Sequence, residues 1–364
     1  MRRIAGRDML FGYPIAATND NWLHECLVHA IQVIHQKVDL GEELPEWPEI
    51  FPTAHREKVA RRRALPKLLE EYRSAVALIS KANRGAVLDA MHAQNRIDDL
   101  LSCGCDCPSI LDLPETVREP IKNVFNCGFD LLTDFGIRHK QYKCIHSSMG
   151  ARVCPFCGLE EFSAPHAPQE DFDHYLPRSI YPFAAANLKN LAPMGHKCNS
   201  GYKKAQDILK SNNGVRRRAF NPYQPNPVQI SLLNSEISTV TNGPFVRRWK
   251  LEIAPTLPEV ATWEQVFSIQ ARYTTDVLED RNFRDWIWDF KQWFDGRGVP
   301  ADDEKLINAV SSYQSLLAKT GFRDKAFIKA AAFAFLHSRL VAGCQRVLEL
   351  MRDATGMQQP LKVT

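Results

Sequence analysis

Cys154-Pro155-Phe156-Cys157, then Asp173-His174-Tyr175-Leu176-Pro177-Arg178-Ser179, then Asn190-Leu191, then Cys198-Asn199: these pieces follow one another within residues 154–199 and decide how the chain is read. Taken singly, each is ordinary; an isolated Asp-His pair is most often a turn with a surface histidine. The ordered set carries a chemistry. An imidazole titrates in the range needed to take a proton from water near neutral pH. A carboxylate and an amide oxygen suit a hard cation such as Mg²⁺ or Mn²⁺. His174 is therefore the expected base, and Asp173 and Asn199 are the expected ligands of a catalytic metal. Neighbouring side chains of a strand point to opposite faces, which would keep base and metal apart. Asn190 lies sixteen residues after His174 and is expected to close the intervening loop through backbone hydrogen bonds and to orient the imidazole. Asn187 offers the same local chemistry three residues earlier.

The Cys-x-x-Cys knuckle suits tetrahedral Zn²⁺, which needs further ligands to close. Cys198 supplies a third thiol, giving Cys154, Cys157 and Cys198, but the residue three before it is Gly195 rather than a second cysteine. The fourth ligand is open: His196, Cys144 and His146 are candidates. The alternatives are a site with three protein ligands, or no zinc, with Cys198 packed as a small apolar side chain. Cys103, Cys105 and Cys107 alternate on one short loop, a poor geometry for a tetrahedral site, and are read as incidental thiols.

Charge is organised around this block. Residues 154–173 carry five acids and no Lys or Arg, whereas His174–Arg218 carries nine Lys/Arg and one acid, Asp207. A basic segment beside an acidic pocket suits a protein that holds a polyanion and a metal. Arg178, Lys203 and Lys204 are the expected phosphate contacts. The formal net charge of +4 is too mild to argue nucleic-acid binding alone. At 45% hydrophobic and 24% charged, the 364 residues exclude bulk disorder. No apolar run of membrane-spanning length occurs. The basic N-terminus is not followed by a clean apolar segment, so a cytoplasmic protein with ten reduced cysteines is expected.

Hydrophobic periodicity predicts helices over about 21–38, 54–81 with an interruption at Pro66, 83–101 and 115–135. Turns and short β pieces are expected over 138–224, with a terminal helix from about Asn199 to Lys210. Strands are expected at Ile230–Leu233, Ile237–Val240 and Trp249–Ile253, with a turn at Asn242-Gly243, and helices over about 262–294, 302–319 and 324–354. The aromatic residues of 286–294 are read as packing rather than as a base-stacking platform. The class is α+β, mainly helical, in three regions: 1–136, 137–224 and 225–364.

The matched text, with Lys203, resembles the HNH endonucleases, the ββα-metal nucleases, over about 85 residues. The resemblance implies a β-hairpin followed by a helix gripping one divalent ion. Asp173 and Asn199 would ligate it, His174 would act as general base and Asn190 would orient the catalytic loop. Tyr181-Pro182 and Phe220-Asn221-Pro222-Tyr223 add a likeness to HNH proteins of bacterial anti-phage defence. DNA is the expected substrate, and a separate expectation, compatible with this one, is that the helical ends dock a partner ATPase or sensor that holds the nuclease silent until triggered. The competing expectation is a zinc-stapled protein that binds nucleic acid, or docks a partner, without cutting.

Overall fold

A computed structural model of the chain describes residues 12–167, 172–225, 228–240 and 243–357. Asn242 of the expected turn lies outside these, as do residues 1–11. The chain divides into two compact units, residues 12–154 with 160–225, and residues 155–159 with the described part of the chain beyond 226.

The first unit begins with α1 (Trp22–Leu40), the one-turn α2 (Arg56–Val59), α3 (Ala64–Ala77), α4 (Lys81–Gln94), α5 (Ile97–Leu101), α6 (Glu115–Asp134) and α7 (Ile137–Ser148). Leu23, Leu27, Ile31 and Ile34 form the buried stripe of α1. The single helix expected over 54–81 is two, and Pro66 is not the break. Pro66 is the third residue of α3, where a first-turn N–H has no intrahelical acceptor to lose. The helix expected over 83–101 is also two. Ser80 Oγ caps α4 by accepting from Asn83 N at 3.3 Å. Asn95 Nδ2 donates back to Met91 O at 2.9 Å where that helix ends. Residues 137–148 are helix rather than turn. Gly136, at φ 67, reverses the chain so that α7 follows α6 directly.

α6 packs on α1, α3 and α7. Gly128 makes the first of these contacts possible, since a Cβ there would fall 2.4 Å from Leu27 Cδ1. The same core takes in Phe172, Phe183, Leu188 and Leu191 from the motif block. Residues 137–224 are therefore not a region apart from the N-terminal helices, contrary to the division expected from sequence. The reason is size: a hairpin of two three-residue strands cannot bury a core of its own.

Those strands are β1 (Phe172–His174) and β2 (Leu191–Pro193), antiparallel, with Asp173 opposite Ala192 and His174 opposite Leu191. A π-helical segment, Lys197–Lys203, follows. It starts earlier and ends sooner than the helix expected over 199–210, stopping at Lys204 with φ 51. Tyr223 returns to the hairpin, its hydroxyl donating to Leu191 O at 2.5 Å. Tyr13 Oη donates to Pro193 O, also at 2.5 Å.

The second unit holds two antiparallel pairs, β3 (Gln229–Ser231) with β6 (Glu252–Ala254) and β4 (Glu236–Ile237) with β5 (Val246–Arg248). Trp249–Leu251 lies between strands rather than within one. Among the described residues six α-helices follow: α8 (Pro258–Phe267), α9 (Ile269–Asp276), α10 (Asp280–Phe294), α11 (Asp303–Thr320), α12 (Ala326–Val341) and α13 (Gln345–Thr355). The helix expected over 262–294 is thus three, broken first at Ser268 in the left-handed conformation, and that over 324–354 is two. Trp286, Phe290 and Phe294 are buried, while Trp288 is exposed. No single helix among the described residues is long and apolar enough to cross a membrane.

Candidate functional site

The loop from Tyr175 to Lys189 leaves β1 and returns to β2, and Asn190 clasps it. Asn190 is fully buried. Its Oδ1 accepts from Leu176 N at 2.7 Å, and its Nδ2 donates to Leu176 O at 3.0 Å and Ala184 O at 3.1 Å. Its carbonyl accepts from Tyr175 N at 2.9 Å. Asn187 bonds elsewhere. It caps the next turn by accepting from Lys189 N and donates to Asn95 Oδ1, each at 3.0 Å.

The clasped loop presents Ala185 O to His174, 3.1 Å from Nε2. A carbonyl only accepts, so Nε2 carries the proton and Nδ1 holds the lone pair of the neutral ring. The ring packs against Phe129, with centroids 4.4 Å apart. Burial pushes the His174 pKa down to about 3, helped by the positive charges of Arg178, Lys203 and Arg138 and opposed by the Ala185 bond. The ring is therefore neutral across the physiological range.

Asp173, on the other face of β1, is buried. Its Oδ2 has no hydrogen bond, yet Lys203 Nζ lies 2.8 Å away. The two form a buried ion pair, and Lys203 Nζ also donates to His174 O at 3.0 Å. Burial raises the Asp173 pKa, and Lys203 opposes the rise. The expectation that Lys203 reaches substrate phosphates is overturned: its side chain is 0% exposed and is occupied by β1. A lysine one turn along a helix reads as a surface cation, whereas Lys203, at the end of the π-helical segment, is buried. Lys204 and Arg178 are exposed. Arg178 lies over Phe129 with its guanidinium 5.5 Å from the ring. Asn199 is half-buried on the π-helical segment, and no hydrogen bond holds its side-chain amide among the described residues. Arg216 and Arg217 of the basic run 216–218 are spent on backbone carbonyls, Arg216 on Leu100 O and Cys105 O, Arg217 on Asp207 O.

A second constellation lies at the cysteines. Cys154, Cys157 and Cys198 are buried, and their sulfurs lie with a Glu160 carboxylate oxygen within 4.8 Å of one another. This cluster could hold a metal such as zinc. His196, the fourth-ligand candidate beside Cys198, is exposed and lies outside the group; half-buried Cys144 and buried His146 lie outside it too. Glu160 escapes a reading by residue type, although it stands three residues after Cys157 and repeats the Cys-x-x-Cys interval. Cys103 is exposed, its thiol on Arg217 O at 3.1 Å, and no metal-like group among the described residues includes it, Cys105 or Cys107. No disulfide joins any of the ten cysteines.

Neither a family model, nor a curated protein, nor a solved structure matches the chain.

Proposed function

We propose that the chain is a metal-dependent endonuclease of the HNH kind that hydrolyses phosphodiester bonds in DNA. One observation carries this reading. The His174 Nε2–H is spent on Ala185 O, which leaves the Nδ1 lone pair as the proton acceptor on the strand that also carries Asp173. Asp173 Oδ2 is buried against the Lys203 ammonium, the Asn199 side-chain amide has no hydrogen bond among the described residues, and a carboxylate and an amide oxygen have the donor chemistry of a hard-cation site. Bound there, Mg²⁺ or Mn²⁺ would neutralise charge on the phosphate and the leaving oxygen. His174 Nδ1 takes the proton of the attacking water, Ala185 O fixes the tautomer, and Asn190 fixes Ala185 by bonding the residue before it. Arg178 and Lys204 are the exposed cations beside the motif and would bear on the flanking phosphates. By the same resemblance, we place the protein in anti-phage defence, with a partner ATPase or sensor releasing its activity.

A second reading has its own support. The Lys203 ammonium already lies against Asp173, as a resident cation would, which favours a zinc-stapled protein that binds nucleic acid without cutting. Incubation of supercoiled plasmid with Mg²⁺ or Mn²⁺, beside single-stranded DNA and RNA, separates the two. The nuclease reading expects nicking that His174→Ala slows by about 10²–10⁴-fold. Equal nicking by both proteins removes His174 from the chemistry. Retained binding with no cleavage by the wild type favours the second reading.

A further inference from the structure

We propose that Glu160 is the fourth ligand of a tetrahedral zinc site with Cys154, Cys157 and Cys198, and that residue 195 is glycine because the Glu160 carboxylate takes the place its side chain would fill. The inference stands apart from the nuclease reading.

Geometry carries it. A Cβ built on Gly195 would lie 2.6 Å from Glu160 Oε2, 2.7 Å from its Cδ and 2.9 Å from its Cβ. Real Cβ atoms do not make such contacts, so any side chain at 195 would displace the carboxylate. Gly195 is also where a second Cys-x-x-Cys pair, ending at Cys198, would have its first cysteine. The carboxylate therefore replaces a thiolate in space, having come from the other side of the site. It is held there from both ends. Cys154 N donates to Glu160 O at 2.7 Å and closes the knuckle on itself. Glu160 Oε1 accepts from Lys197 N at 2.8 Å and Oε2 from Cys198 N at 3.3 Å. These amides begin the π-helical segment.

The donor set selects the ion. Three thiolates and one carboxylate oxygen in a buried cluster suit Zn²⁺, whereas Mg²⁺ and Ca²⁺ prefer all-oxygen sets. Four such donors within 4.8 Å cannot all remain anionic without a cation between them. Four protein ligands also make the site closed, hence structural. The hydrogen bonds to Lys197 N and Cys198 N make Glu160 both ligand and cap for the segment that carries Asn199.

The test uses the full chain purified without chelator. Zinc at about one per chain is expected, with X-ray absorption giving three sulfurs at about 2.3 Å and one oxygen at about 2.0–2.2 Å. Cobalt substituted for zinc should give the charge-transfer intensity of three thiolates. Glu160→Ala should weaken zinc binding by at least about tenfold. The double variant Glu160→Ala with Gly195→Cys should regain zinc and show one thiolate more. Wild-type protein with less than about 0.2 zinc per chain overturns the site. A Glu160→Ala protein with unchanged zinc affinity and cobalt spectrum overturns Glu160 as ligand. Should that variant not fold, a wild-type sulfur count of two or four, or a nitrogen in place of the oxygen, does the same.

Discussion

Asn190 decides more than any other residue how the motif block is held. Its side chain satisfies both backbone groups of Leu176 and the carbonyl of Ala184, all from a fully buried position. Asn190→Ala strands the Leu176 N–H and C=O without partners, and each buried unsatisfied group costs about 1–3 kcal/mol. A loss of about 3 kcal/mol is expected in urea unfolding, together with broadened NMR signals for residues of the 175–190 loop. A loss below about 1 kcal/mol would mean that the loop is held elsewhere. Asn190 was legible in sequence because an asparagine can bond backbone on both sides of a loop. Lys203 was not. Whether a lysine serves phosphate or a buried carboxylate depends on where its helix points it, and residue type says nothing of that.

At the scale of elements, close approach matters more than propensity. Gly128 lets α6 meet α1, with Leu27 pressed where a Cβ would be. Gly128→Ala is expected to destabilise the first unit by about 1–3 kcal/mol, since Leu27 is buried and has little room to turn away. An unchanged urea midpoint for that variant would show that the two helices part without cost. The long amphipathic helices, α1, α6 and α11, were legible from period alone, because a buried stripe repeats through several turns. α7 was not. Its sequence Arg138-His139-Lys140-Gln141 hides the stripe, and one of its buried residues, Gln141, is polar, donating to Leu188 O at 3.0 Å and Leu191 O at 3.2 Å. The breaks inside the expected long helices were missed for a related reason. Ser268 takes a left-handed conformation that its residue type does not announce.

For the whole molecule, acid is the informative stress. Burial lowers the pKa of both His24 and His35 to about 4, and each has a buried Nδ1 without a partner, so a proton there has no acceptor. The folded protein thus binds fewer protons than the unfolded chain between about pH 6.5 and pH 4. Stability is full above that window, falls as pH drops through it, and levels off below about 4 as far as these two groups are concerned. His174 extends the loss toward pH 3. Each of the first two contributes on the order of 3 kcal/mol over its window. Urea midpoints at pH 7, 5.5 and 4.5 should fall in that order, and His24→Gln with His35→Gln should flatten the trend; an equally steep trend in that variant removes them as its source. The sequence by itself determined the helical class, the places of the main helices and the residues of the motif block, because periodicity and local chemistry are written in neighbouring positions. Only the tertiary structure decided that the hairpin shares the helical core, that Lys203 turns inward to Asp173, and that Glu160 meets three cysteines beside Gly195. These are matters of which distant side chains share one space, and spacing along the chain does not encode them.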